Sequence, residues 1–116
     1  MNNSTAFRIA AALGFLAVAF GAFGAHALKG SLGASGMTGV WEKAVLYHLV
    51  HAVVLLLLAT RDPVPVLAWI LLCAGVLVFS GSLYLLAFTG LRWLGAVTPL
   101  GGLCLLGGWL ALAWKR

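Results

Sequence analysis

The stretch WEKAVLYHLVH, residues 41–51, opens an apolar run that continues to Thr60. About 20 such residues are enough for a helix to cross the hydrocarbon core of a bilayer. At 100° per residue, Tyr47 and His51 fall on one stripe of that helix, and His48 lies on its flank. Ionisable side chains are costly inside a membrane, so this stretch marks the polar centre of the fold and the first place to look for a site.

The composition is that of an integral membrane protein. Of the 116 residues, 64% are hydrophobic and only 8% are charged, whereas about a quarter of the residues in a soluble domain are charged. Seven Lys and Arg residues against two Asp and Glu residues give a net charge of +5. The basic residues stand singly near the ends of apolar runs, which is typical of headgroup anchoring and not of nucleic-acid binding. The expected partner is therefore the lipid bilayer, with a homo-oligomer or a larger membrane complex left open.

The apolar runs predict an all-α integral membrane four-helix bundle that occupies residues 1–116 as a single domain. The predicted helices cover residues 7–28, 40–60, 64–89 and 91–114. Each run is long enough to span a bilayer on its own.

The segments between these helices carry their own local signals. Residues 29–39, KGSLGASGMTG, contain four glycines and predict a flexible loop. Asp62 and Pro63 are expected to cap and open the third helix. Pro99 has no N–H to bond the carbonyl of Gly95, so a kink is predicted in the fourth helix.

Several features bear on orientation and processing. Four spans place both termini on one side, and the slightly larger number of basic residues there predicts cytoplasmic termini.

Arg8, the apolar core at 9–23 and the Ala-His-Ala at 25–27 also resemble a cleavable secretory signal, which stays open as an alternative. Tryptophans near the predicted helix ends suggest an aromatic belt at the membrane interfaces: Trp41, Trp69, Trp93 and Trp114.

Polar and proline-containing blocks along the chain resemble a known family. They are GAFGAHALK at 21–29, Tyr47-His48 with His51, FSGSLY at 79–84, and TPLGG at 98–102. The pattern is similar to that of small bacterial membrane proteins of the YgdD/YwdK type, the domain of unknown function 423 group, whose eukaryotic relatives are called transmembrane protein 256-like. The resemblance implies a four-helix membrane fold in the bacterial inner (cytoplasmic) membrane with a retained first helix, and it implies no activity.

Three histidines are the first candidates for chemistry: His26, His48 and His51. One hypothesis is that they form hydrogen bonds between helices and fix the register of the bundle. A second is a proton-handling or ligand-binding site, because histidine titrates near neutral pH. A third is a metal or haem site formed by all three, since imidazoles suit Zn, Cu and haem iron. Glu42, the acidic residue nearest to the histidines, is predicted to face away from His48 and His51. No cofactor is therefore predicted outside that third hypothesis.

Hydroxyl-bearing residues form a second polar set on the last two helices. Ser80 and Tyr84 are four residues apart and share one face, while Ser82 points elsewhere. Hydroxyls in such positions are expected to bond to backbone or to neighbouring helices. Thr98 and Pro99 mark the expected helix break, which either admits a close neighbour or lines a cavity.

These residues do not form a nucleophile with its base and acid, so no enzyme is predicted. The leading hypothesis is a non-enzymatic accessory, assembly or small-ligand-binding membrane protein with a polar interior. Two alternatives stay open. One is a small proton or solute transporter or channel that works as an oligomer through Tyr47, His48 and His51, and the other is metal or haem binding.

Overall fold

A computed structural model describes residues 1–114, which form five helices. They are α1 (Asn3–Ala25), α2 (Lys29–Ser35), α3 (Thr38–Ala59), α4 (Val66–Thr89) and α5 (Leu94–Trp114). All except α2 are long and apolar enough to cross a membrane. The prediction of an all-α protein with four membrane-length helices is confirmed.

The first helix begins earlier than predicted because its start is capped by polar side chains. The side-chain oxygen of Asn2 accepts a hydrogen bond of 2.8 Å from the backbone N–H of Thr5, which satisfies one of the free donors of the first turn. The side-chain amide of Asn3 donates to the carbonyls of Ala59 at 2.9 Å and Arg61 at 2.7 Å. Asn3 therefore ties the start of α1 to the end of α3.

The prediction of a flexible loop over residues 29–39 is wrong, because this segment contains α2. The helix ends at Gly36, whose φ of 72° is a conformation that glycine adopts readily. Leu32 is 3% exposed and packs in one cluster with Trp41 and Ala87. This tertiary contact stabilises a helix that the glycine content alone disfavours.

Two other helix starts differ from the prediction. The N-cap of α4 is Pro65, without a side-chain cap hydrogen bond, so Asp62 and Pro63 lie in the connecting turn and do not cap the helix. Helix α5 begins at Leu94 and not at residue 91. Pro99 lies inside α5, which continues as a helix on both sides of it, and the kink stays a prediction.

The spans pack in chain order into a flattened arrangement of 47 × 26 × 17 Å. Helix α1 packs on α3, α3 on α4, and α4 on α5, while the short α2 contacts α1, α3 and α4. Within residues 1–114 the backbones of α3 and α5 do not approach each other. Helix α4 is the most buried span, and α1 and α5 are the outer ones. Their apolar outer faces are suited to lipid.

Two of the four tryptophans expected in an aromatic belt lie inside the protein. Trp41 and Trp69 are 6% and 3% exposed. Their indole N–H groups donate to the carbonyls of Phe20 at 2.8 Å and Leu55 at 3.1 Å. A buried indole needs such an acceptor, and these two tryptophans therefore join α3 to α1 and α4 to α3. The exposed members of the predicted belt are Trp93 and Trp114.

Glycines allow α4 and α5 to approach very closely. A Cβ atom added to Gly101 would lie 2.7 Å from the Cα of Phe79, and one added to Gly108 would lie 2.6 Å from the Cγ of Leu72. Small residues at such positions are a common device for packing helices in lipid. The close contact with α4 fixes the position of α5. This outer span contains Thr98, Pro99 and part of the candidate site.

Candidate functional site

The candidate site is centred on two histidines in the middle of α3. His48 and His51 are 4% and 6% exposed. At 1.5 Å per residue, His48 lies about 15 Å along the helix from its first residue. That distance is about half the thickness of a hydrocarbon core, so both imidazoles lie deep in the membrane. They point to different neighbours.

His48 joins α3 to α4. Its Nδ1 lies 2.8 Å from the hydroxyl of Tyr84, and the rings of Phe20 and Trp41 pack on Tyr84 at centroid distances of 4.9 and 4.8 Å. Among the described residues, Nε2 of His48 is buried without a hydrogen-bond partner. The arrangement is an aromatic cluster around one interhelical hydrogen bond.

His51 joins α3 to α5, and its hydrogen bonds fix its protonation state. The indole N–H of Trp109 donates to Nε2 of His51 at 3.1 Å. An indole nitrogen is only a donor, so Nε2 must carry a lone pair. The proton of the neutral ring is then on Nδ1, which lies 2.8 Å from the carbonyl of Tyr47 and donates to it. His51 is therefore a neutral imidazole with both nitrogens engaged.

The hydroxyl groups make separate bonds between helices. Ser80 donates to the carbonyl of Ala44 on α3 at 2.8 Å. Ser82 lies 2.6 Å from the hydroxyl of Thr98 on α5, and Thr98 also donates to the carbonyl of Leu94 at 3.3 Å. Within residues 1–114, neither serine forms a hydrogen bond with a histidine. These contacts match the role expected for hydroxyls in a membrane interior.

The structure does not bring the three histidines together. His26 is exposed in the turn after α1, where its backbone forms the C-cap of that helix. Residues 1–114 contain no group of three or more His, Cys, Asp or Glu side chains arranged to hold a metal ion. The shared site of His26, His48 and His51, on which the metal or haem hypothesis depends, is therefore not formed within residues 1–114.

Sequence reasoning missed the two tryptophans that donate at the edges of the site, Trp41 and Trp109. Trp109 stands five residues before the end of α5, and its N–H lies within the apolar region. A donor in that position needs an acceptor from a neighbouring helix. That requirement is the signal in the sequence that could have paired Trp109 with a histidine of a neighbouring helix.

A groove between α3 and α5 opens sideways, toward the lipid. Its volume is about 520 Å³. Leu103 and Leu106 at its edge are 64% and 63% exposed. Tyr47 is 39% exposed, and its hydroxyl makes no hydrogen bond to any described residue. The lining combines rings, small residues and leucines: Tyr47, His51, Phe79, Pro99, Gly102, Leu103, Leu105, Leu106 and Trp109.

Comparison with known proteins places the chain among bacterial membrane proteins. The family described as "Protein of unknown function (DUF423)" matches residues 20–102. The UPF0382 membrane protein SH2409 of Staphylococcus haemolyticus is 48% identical over 102 residues, which cover 84% of this chain and 82% of the relative. The UPF0382 membrane protein YwdK of Bacillus subtilis is 40% identical over 104 residues, covering 84% and 83% of the two chains.

A Gram-negative relative agrees with this placement. The UPF0382 inner membrane protein YgdD of Escherichia coli is 41% identical over 105 residues, which cover 86% of this chain and 79% of the relative. No solved structure matches the chain significantly. Together with the four candidate spans, these relatives confirm a multi-pass protein of the bacterial inner (cytoplasmic) membrane. The chain belongs to the DUF423 family of UPF0382 membrane proteins, whose function is unknown.

Proposed function

We propose that the protein is a non-enzymatic membrane protein that binds a small uncharged molecule from the bilayer in the groove between α3 and α5. The observation that carries the proposal is the groove itself. Tyr47 and His51, near the middle of α3, line a volume of about 520 Å³ beside the exposed leucines of α5. Small-molecule sites commonly measure about 300–1,000 Å³ and combine apolar walls with a few polar groups.

The hydrogen bonds of the interior favour binding over turnover. Both nitrogens of His51 are engaged, and Nδ1 of His48 is paired with Tyr84. Within residues 1–114 the serine hydroxyls bond to backbone or to Thr98 and not to a base. A nucleophilic enzyme needs a nucleophile in contact with its base, oriented by a third group. The interior groups instead connect one helix to the next.

The lining of the groove favours an uncharged ligand. Among residues 1–114, it contains no Lys, Arg, Asp or Glu side chain. An ion in this position would lose its hydration without gaining a partner of opposite charge, which is strongly unfavourable. A neutral molecule that already dissolves in the bilayer reaches the groove from the side without that penalty. Cytoplasmic termini and assembly into a homo-oligomer or larger complex stay predictions.

Native mass spectrometry of protein transferred from its own membrane into nanodiscs tests the proposal. Leu106 lines the groove, and Leu110, 71% exposed, lies on the same helix outside it. We expect a non-covalent small-molecule adduct on the wild type and on Leu110→Trp. The larger side chain of Leu106→Trp fills the groove, so its adduct should be lost.

Melting temperatures close to that of the wild type serve as the control that both variants are folded. A wild type without any adduct would contradict the proposal. An adduct equally abundant on Leu106→Trp would contradict it as well, because the molecule would then bind elsewhere.

A further inference from the structure

We infer that the groove between α3 and α5 selects a planar carbonyl compound of the quinone type, held by a hydrogen bond from the Tyr47 hydroxyl. The inference rests on the proposed function and names the chemical class of its ligand. Three properties of the groove carry it: the one hydroxyl that is free to donate, the rings that form its walls, and its length along the membrane. It concerns binding alone and involves no electron transfer.

The Tyr47 hydroxyl is the polar group of the groove that is available to a ligand. Both nitrogens of His51 and the indole N–H of Trp109 are already engaged with protein partners. The Tyr47 hydroxyl makes no hydrogen bond to a described residue, and a hydroxyl without a partner in hydrocarbon carries a free-energy penalty. A carbonyl oxygen can accept the hydrogen bond from this hydroxyl. It carries no proton of its own that would need a further acceptor.

The walls favour a flat molecule. The rings of Tyr47 and Phe79 are 4.6 Å apart between centroids, and those of His51 and Trp109 are 5.9 Å apart. Aromatic faces pack well against other flat rings in offset or edge-on arrangements. Pro99 adds a rigid apolar ring to the lining. A compact ring system fits these walls better than a single flexible chain.

The groove is also long enough to hold the start of an apolar tail. From Pro99 to Trp109 the helix rises about 15 Å at 1.5 Å per residue. Leu103 and Leu106 lie between these two residues and are mostly exposed. A ring bound near Tyr47 can therefore extend a hydrocarbon tail along the leucines and out into the lipid.

A second lipid-facing cavity lacks the free donor that the inference requires. It has a volume of about 460 Å³ and lies between α1 and α4. Its lining is apolar and aromatic apart from Tyr84, and the Tyr84 hydroxyl is already paired with His48. This cavity has a size similar to that of the groove, but it has no donor left to select a carbonyl.

Titration of decylubiquinone into nanodiscs that hold the full-length protein tests the inference. We expect saturable quenching of tryptophan fluorescence for the wild type, because Trp109 lines the groove. Decylbenzene has the same tail without the carbonyl groups, and it should not compete with decylubiquinone. Tyr47→Phe should raise the Kd by about tenfold, the loss of one hydrogen bond of up to about 1.5 kcal/mol. The lipid-facing control Leu110→Ala should leave the Kd unchanged.

Two results would overturn the inference: competition by decylbenzene, or a Kd unaltered in Tyr47→Phe. If decylubiquinone fails to bind while the adduct on the native protein is still lost in Leu106→Trp, the ligand class is wrong and the proposed function stands. If no adduct is found either, both are wrong.

Discussion

Replacing Gly101 by alanine is expected to lower the free energy of unfolding by about 3 kcal/mol, the upper end of the usual effect of overpacking. The added Cβ would meet the backbone nitrogen of Phe79 and would lie 2.7 Å from its Cα. Backbone atoms in the middle of α4 cannot rotate away as a side chain can. Helix α5 would therefore have to move outward and lose contacts along its seam with α4.

Gly102→Ala is the matched control, one residue along the same helix. Its added Cβ would lie 3.8 Å from Cδ2 of Phe79, an ordinary van der Waals distance. Because alanine has a higher helix propensity than glycine by up to about 1 kcal/mol, this variant should be as stable as the wild type or slightly more so. Unfolding in mixed micelles by increasing the fraction of SDS, followed by tryptophan fluorescence, measures both. Equal stabilities of the two variants would show that α4 and α5 do not meet at Gly101.

Trp69→Ala is expected to lower the free energy of unfolding by about 4 kcal/mol, as truncation of a large buried aromatic side chain does. Trp69 is 3% exposed and lies in a cluster with Leu55 and Leu72. Its indole N–H also donates to the carbonyl of Leu55 at 3.1 Å. The variant loses the packing between α3 and α4 and leaves a cavity at their contact.

Two further tryptophan variants separate the causes of this loss. Trp69→Phe keeps an aromatic ring but removes the N–H donor. It should therefore lower the free energy of unfolding by only about 1 kcal/mol. Trp114→Ala truncates a side chain that is 89% exposed and should change the stability little. The same SDS titration, followed by circular dichroism, compares all three variants. If Trp69→Ala were no more destabilising than Trp114→Ala, the interior position of Trp69 would be contradicted.

Hydropathy predicts the spans of this protein well, because crossing a bilayer requires about 20 apolar residues whatever the neighbours are. The ends of the helices depend on contacts that hydropathy does not contain. Asn2 caps α1 and Asn3 bonds to the end of α3, so α1 begins before the first apolar run does. Helix α2 forms in a glycine-rich segment because Leu32 is buried beside Trp41.

The candidate site was predictable only where its residues share one helix. The four-residue spacing of Ser80 and Tyr84 places both on the side of α4 that faces α3. The pair of His51 and Trp109 lies 58 residues apart and requires the packing order of α3, α4 and α5. That order depends on close approaches such as the one at Gly101. The sequence contains the small residue but does not identify the helix that it meets.

Nitrogen-15 NMR of histidine-labelled protein in lipid bilayers at neutral pH tests most directly whether His51 is a neutral link between α3 and α5. Trp109→Phe assigns the signal, because it removes the indole donor to Nε2. For the wild type we expect a proton on Nδ1 and a bare Nε2 that accepts a hydrogen bond, as the contacts with the Tyr47 carbonyl and Trp109 require. A proton on Nε2, in either a neutral ring or an imidazolium, would contradict this arrangement and with it the groove that His51 and Trp109 form.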